Sequence, residues 1–374
     1  MPSNLNQNNP RPGSYTFEQI PSTDKQAEAA CQRRLDQLTK PPGSLGLLET
    51  LALRLAGIQG FAPHVNAPAV LVFAADHGVT DEGVSAYPKA VTAQMVANFL
   101  SGGAAINVLA KLAQARVTVV DVGVDADLTH LRGLVHGKIR RGTRNMAREN
   151  AMTREEVLAA LDTGRIQACE AISRGADILC LGEMGIGNTT AAAALVSCLL
   201  PLDVSASVGR GTGIDDAGYE RKCAAVGKAL QRQSQASAQS HSLALAPRDA
   251  VLDVLQALGG LEIAALCGAC LGAAARRIPV LVDGYIVSSA ALCAIRLDPA
   301  VLPYLIFAHR SVEPGHTHLL KKLGVRPLLE CGLRLGEGTG AVLALPLVKA
   351  ACAILTEMAT FKSAGVSNTS GGTT

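Results

Sequence analysis

Tryptophan is absent from this chain, and aromatic residues make up only 3% of its 374 positions. A core without large rings must be packed by small side chains. Alanine and glycine take that part here, which suits close contact of helix on sheet. Charge is also sparse, at 17% with a net value of +3. So weak a balance leaves no electrostatic footprint for nucleic acid, and no block of Lys or Arg stands out. Lys138, Arg140, Arg141 and Arg144 read as a solvated surface segment. No membrane partner is expected either. A span needs about 20 apolar residues, whereas residues 263–275 are too short and residues 341–355 are interrupted by Pro346 and Lys349. The first twenty residues are polar and hold no apolar leader core. Ten cysteines are present. Those in apolar runs (Cys180, Cys198, Cys267, Cys293, Cys352) read as small buried hydrophobes in a reducing, cytoplasmic setting. Cys267 and Cys270 make a C-x-x-C, but no second pair stands at zinc spacing and the flanks are helix formers.

A hydrophobic share of 48% supports a large domain and a smaller one. Five short apolar runs recur: residues 70–74, 117–120, 178–181, 280–282 and 304–307. Continuous apolar runs mark strands buried on both faces, as in a parallel sheet. Each is closed by a Gly-, Asp- or His-bearing turn and followed by an Ala-rich helical pattern, so the fold class is a doubly wound α/β sheet with helices on both faces. We place the α/β domain at residues 65–340. Residues 24–64 and 341–366 form a small helical domain, and residues 1–22 and 367–374 are mobile tails. Ligands of such sheets bind beyond the carboxyl ends of the strands.

Four segments there carry chemistry. Gly182-Glu183-Met184-Gly185-Ile186-Gly187-Asn188-Thr189-Thr190 ends a strand and opens a helix, where backbone N–H groups favour an anion. It nearly matches a P-loop, but Asn188 stands where the lysine belongs. Gly209-Arg210-Gly211-Thr212-Gly213-Ile214-Asp215-Asp216 fails the dinucleotide fingerprint at Ile214. Asp215 suits a helix cap. Lys222, two turns on, reads as a surface lysine or a phosphate ligand. The three His and one Glu of His309-Arg310-Ser311-Val312-Glu313-Pro314-Gly315-His316-Thr317-His318 invite a metal, yet Pro314 and Gly315 break the helix that a zinc pair needs. Ser311 and nearby N–H groups suit a phosphate better. In Leu335-Gly336-Glu337-Gly338-Thr339-Gly340, a lone carboxylate sits between glycines. It is either a general base in a dry pocket or a helix-start Glu stabilised by the dipole.

The first and last of these stretches (residues 182–190 and 335–340), with Lys40-Pro41-Pro42-Gly43-Ser44-Leu45-Gly46, Ala74-Ala75-Asp76-His77-Gly78-Val79 and Gly83-Val84-Ser85-Ala86-Tyr87-Pro88, resemble the nicotinate-nucleotide–dimethylbenzimidazole phosphoribosyltransferase family from about residue 25 to Ser367. The resemblance implies a homodimer with a six-stranded, Rossmann-like parallel sheet. It implies transfer of the phosphoribosyl group of nicotinate mononucleotide to 5,6-dimethylbenzimidazole. Direct displacement would invert the anomeric carbon, and no metal or cofactor is expected, since N–H groups and one lysine can hold a single phosphate. It assigns Glu337 as catalytic base and Glu183 as a second carboxylate near the ribose. Gly185, Asn188, Lys222, Asp283, Gly284, Ser311 and Gly315 fall around the phosphate and ribose, and Ser85, Gln94 and Leu335 line the benzimidazole pocket. A nucleotide hydrolase and a non-catalytic nucleotide sensor are the competing expectations.

Overall fold

The computed structural model describes residues 15–211, 213–239 and 247–367. Six strands form one parallel sheet: β1 (Pro68–Ala75), β2 (Arg116–Gly123), β3 (Val135–His136), β4 (Ile178–Met184), β5 (Val280–Val282) and β6 (Leu305–Phe307). Their order is β3-β2-β1-β4-β5-β6. The order reverses between β1 and β4, the doubly wound Rossmann-like arrangement. β1 is buried at all eight positions, as its unbroken apolar run requires. The two-residue β3 is too short to leave a sequence period, and the sequence pattern misses it.

Helices α1 (Lys25–Gln37) and α2 (Leu47–Gln59) precede β1. Between β1 and β2 lie α3 (Ala90–Leu100) and α4 (Ala105–Ala113), and α5 (Arg154–Ser173) leads into β4. From β4 to β5 run α6 (Asn188–Leu199), α7 (Val204–Ser207), α8 (Asp216–Gln239), α9 (Pro247–Leu258) and α10 (Leu261–Ala275). Then come α11 (Tyr285–Leu297), α12 (Pro314–Leu323), α13 (Thr339–Glu357) and α14 (Phe361–Ala364). α1 to α4 and α13 share a core with one sheet face through Leu35, Leu55, Val70, Val72, Cys180 and Leu345. α5, α6 and α8 to α11 cover the other, against Leu71, Phe73, Leu179 and Leu181. α1, α2 and α13 pack on one another, but their core is continuous with the sheet.

Alanine and glycine set the spacing. A Cβ added at Gly164 would collide with the Ala265 carbonyl, and one at Gly268 with the Leu161 carbonyl. The backbones of α5 and α10 therefore touch.

The tail expected at residues 1–22 is corrected for residues 15–22. Ile20 is buried, Tyr304 Oη donates to Pro21 O at 2.7 Å, and Glu18 pairs with Arg165 and Arg276. Single anchors on irregular backbone leave no periodic signal. Residues 1–14 and 368–374 lie outside the described residues. The basic segment is corrected too. Lys138 lies 3.1 Å from buried Asp121 and Arg144 lies 2.7 Å from Glu156. Residues 90–113 and Thr339–Glu357 are apolar enough by length and composition to cross a membrane. The first stretch is two helices here, and the second is more than half buried in the protein.

Candidate active site

At the carboxyl end of β4, Glu183 points to the α6 and α10 side, on the same face as Leu179 and Leu181. It is buried, and Asn188 Nδ2 at the start of α6 donates to its Oε2. Asn188 thus orients a carboxylate where a P-loop lysine would hold phosphate. On the opposite face Gly182 lets the loop before α13 approach, since a Cβ there would collide with Glu337 O. Gly336 rests against Glu183 Oε1 with no room for a side chain.

Gly336, Glu337 and Gly338 have φ of +90°, +65° and +88°. For Glu337 a left-handed backbone costs roughly 1–3 kcal/mol, so the fold spends stability to place this side chain. Glu337 is 5% exposed. Its Oε2 accepts from Ile106 N at 3.2 Å, in the first turn of α4. The dipole that stabilises it belongs to α4, not to α13, which follows it. Asp283, ending β5, holds the same loop: its two oxygens accept from Gly338 N at 3.1 Å and Ala341 N at 3.0 Å. His309 Nε2 lies 3.3 Å from Asp283 Oδ1, and its ring sits beside Gly284.

Burial pushes Glu183 well above the usual carboxylate range. The carboxylates of Glu262, Asp283 and Glu337 add to this, against the opposing Asn188 bond. Burial likewise raises Glu337, opposed by the Ile106 N–H and assisted by Asp283. A base held above the ordinary carboxylate range works closer to neutral pH.

Lys222 of α8 is not a surface lysine. It is 1% exposed and donates to Thr189 Oγ1 at 2.8 Å and Gly209 O at 3.0 Å. Burial lowers it to about 8. It reaches between the first glycine segment and the second, part of which, Thr212, lies outside the described residues. Asp215 Oδ1 accepts from Gly218 N at 2.7 Å, the expected cap. Ser311 N donates to His316 Nδ1 at 3.0 Å, so the His316 proton sits on Nε2, 2.9 Å from Ser288 Oγ. Burial lowers His316 to about 3, which keeps it neutral. Gly315, in the first turn of α12, packs on Tyr285 with no space for a side chain. A cavity of about 520 Å³ opens here, lined by Gly209, Gly211, Tyr219, Glu313, Pro314 and Arg334. Gly211 N donates to Glu313 Oε1 at 2.9 Å.

Glu183, Asn188, Asp283, Gly284 and Glu337 thus meet in one place. Gly185 follows on the same turn. Lys222 bonds to Gly209, which lines the adjoining cavity, and Ser311 and Gly315 flank its lining residues Val312, Glu313 and Pro314 in sequence. Ser85 is half-buried and accepts from Tyr87 N. Gln94 is exposed on α3, and Leu335 is 59% exposed. The three share no hydrogen bond with the carboxylate cluster. Sequence reasoning gave no role to His77, Asp76 or Glu262, and weighed Glu313 only within a metal set. Two had a legible signal: His77 closes β1, and Glu262 is a lone acid opening an apolar helix.

A doubly wound sheet with glycine turns and buried carboxylates at its strand ends defines an α/β enzyme of nucleotide-like ligands. The phosphoribosyltransferase family model matches residues 20–366, and the chain belongs to that family. Relatives named nicotinate-nucleotide–dimethylbenzimidazole phosphoribosyltransferase include one from Chloroflexus aggregans, 52% identical over 95% of this chain and 98% of its own. Another, from Halalkalibacterium halodurans, is 50% identical over 93% and 94%. The crystal structure of CobT from Thermus thermophilus superposes with a TM-score of 0.86 at 50% identity, covering 92% of this chain and 99% of that one.

Proposed function

We propose that the protein transfers the 5-phosphoribosyl group of nicotinate mononucleotide to 5,6-dimethylbenzimidazole, releasing nicotinate and α-ribazole 5′-phosphate. The observation that carries the proposal is Glu337, buried between two left-handed glycines beside Glu183 and Asp283. The pyridinium leaves as a neutral ring and needs no acid. The incoming benzimidazole attacks through its bare ring nitrogen and becomes a cationic azolium unless the N–H on the other nitrogen is removed, and Glu337 takes that proton. The anomeric carbon gathers positive charge as the bond to nicotinate breaks, and Glu183 in its ionised form stabilises it. Attack from the face opposite the leaving ring inverts the anomeric carbon.

Lys222, Ser311 and the N–H groups near Gly185 and Gly315 hold the phosphate. Asn188 orients Glu183, and Asp283 with Gly284 seats the ribose. Ser85, Gln94 and Leu335 border the benzimidazole. The active form is a cytoplasmic homodimer without metal or cofactor. The ten free cysteines fit a reducing compartment. Incubation with both substrates is the test: free nicotinate and the α-riboside phosphate are expected to appear together, and EDTA is expected to leave the rate unchanged. A β-riboside product would remove direct inversion, and no nicotinate release would remove the reaction.

A further inference from the structure

His77 and Glu262 have no part in the chemistry above. Yet His77 Nε2 and Glu262 Oε1 lie 2.5 Å apart, with side chains 1% and 0% exposed. Glu262 opens α10, a helix otherwise apolar and buried through Ala274. Its second oxygen, Oε2, is buried without a hydrogen-bond partner. A packing role alone would be better served by an apolar side chain, because a buried orphan oxygen destabilises a fold. Two glycines make room for the pair. A Cβ at Gly260 would collide with the His77 ring, and one at Gly185 would stand 3.3 Å from Glu262 Oε1. Gly185 is two residues beyond Glu183.

We infer that His77 and Glu262 form a positioning pair that acts on the reaction through Glu183, by setting whether its carboxyl holds a proton before the pyridinium of the nucleotide arrives. The inference rests on the reaction proposed above. Several charged groups surround this part of the site. Asp76 and His77 stand at the end of β1, and Glu262 comes from α10. Asp283 ends β5, His309 follows β6, Glu337 comes from the loop before α13, and Lys222 from α8. α3 and α6 present neutral Thr92 and Asn188. A negative Glu262 opposes a second negative charge on Glu183, and a His77 proton directed at Glu262 Oε1 tempers that opposition. After burial, Glu262 is the largest influence raising Glu183. Glu183 thus waits as a neutral acid. As the pyridinium enters with its positive charge, the Glu183 proton passes to solvent and the carboxylate faces the ribose.

The test is the protonated-carboxyl infrared band of Glu183, assigned by its loss in Glu183→Gln and followed against pH without substrate. Glu262→Gln is expected to move its midpoint down by about one pH unit, as removal of a neighbouring like charge does. His77→Gln is expected to move it up, and the acid limb of kcat/KM is expected to follow each shift. Unmoved midpoints in a folded variant, even with kcat reduced, would overturn the inference and leave the pair a structural one. If Glu262→Gln does not fold, His77→Gln decides alone. If neither folds, the pair belongs to the core and the inference falls. The infrared measurement needs no turnover, so a wild type that releases no nicotinate counts against the proposed reaction only.

Discussion

Glu337 shows what one side chain asks of its surroundings. It needs a left-handed backbone, a glycine on each side and the first turn of α4 to receive it. Glu337→Gln keeps the shape and can still accept the Ile106 N–H, so it is expected to fold and bind both substrates. Turnover is expected to fall about 10²–10⁴-fold, the usual contribution of a general base. Steady-state and binding assays together check this.

Lys222→Met is expected to raise KM for the nucleotide by about tenfold to a hundredfold, as for a lost hydrogen bond to a charged group. The wild-type KM is expected to rise above pH about 8, where this lysine loses its proton. Its folded value, about 8, lies below the ordinary 10.5. Between these the unfolded chain holds more protons, so the contribution of Lys222 to stability grows with pH across that window and is lost as pH falls through about 8. Urea denaturation of wild type and Lys222→Met at several pH values measures it. Glu337 was legible in the sequence because its glycines are its chain neighbours. The burial of Lys222 was not, because it depends on α8 lying across two loops distant in sequence.

Among the elements, five of the six strands announced themselves as apolar runs, since a strand covered on both faces has no polar side to show. The closest helix pair did not. Gly164 and Gly268 look like helix-weakening residues until α5 and α10 are seen in backbone contact. Gly268→Val is expected to force the two apart. An overpacked core typically loses about 1–3 kcal/mol, and calorimetry is expected to show a lower Tm. Activity per folded molecule is expected to fall as well, because Gly268 lies on α10, the helix that carries Glu262.

For the whole molecule, residues 15–22 tie α5, α9 and the end of α10 together: Glu18 pairs with Arg165 and Arg276, and the Phe17 ring lies under Arg248. Removal of residues 1–22 is expected to lower Tm by several degrees while the site geometry, and so kcat, stays near wild type. The helical layer draws on both ends of the chain, and Leu38 bridges Thr360 in antiparallel fashion.

That closure has a temporal side. Thr39 Oγ1 meets Ala359 O across a separation of 320 residues. At about 5–20 residues per second on a ribosome, α1 and α2 wait roughly 16–64 s for the helix that covers them. During synthesis Leu35, Leu51 and Leu55 are a greasy surface in search of a cover. A nascent chain cut short before α13 would keep that surface bare, which makes its last residues the ones that render the first soluble.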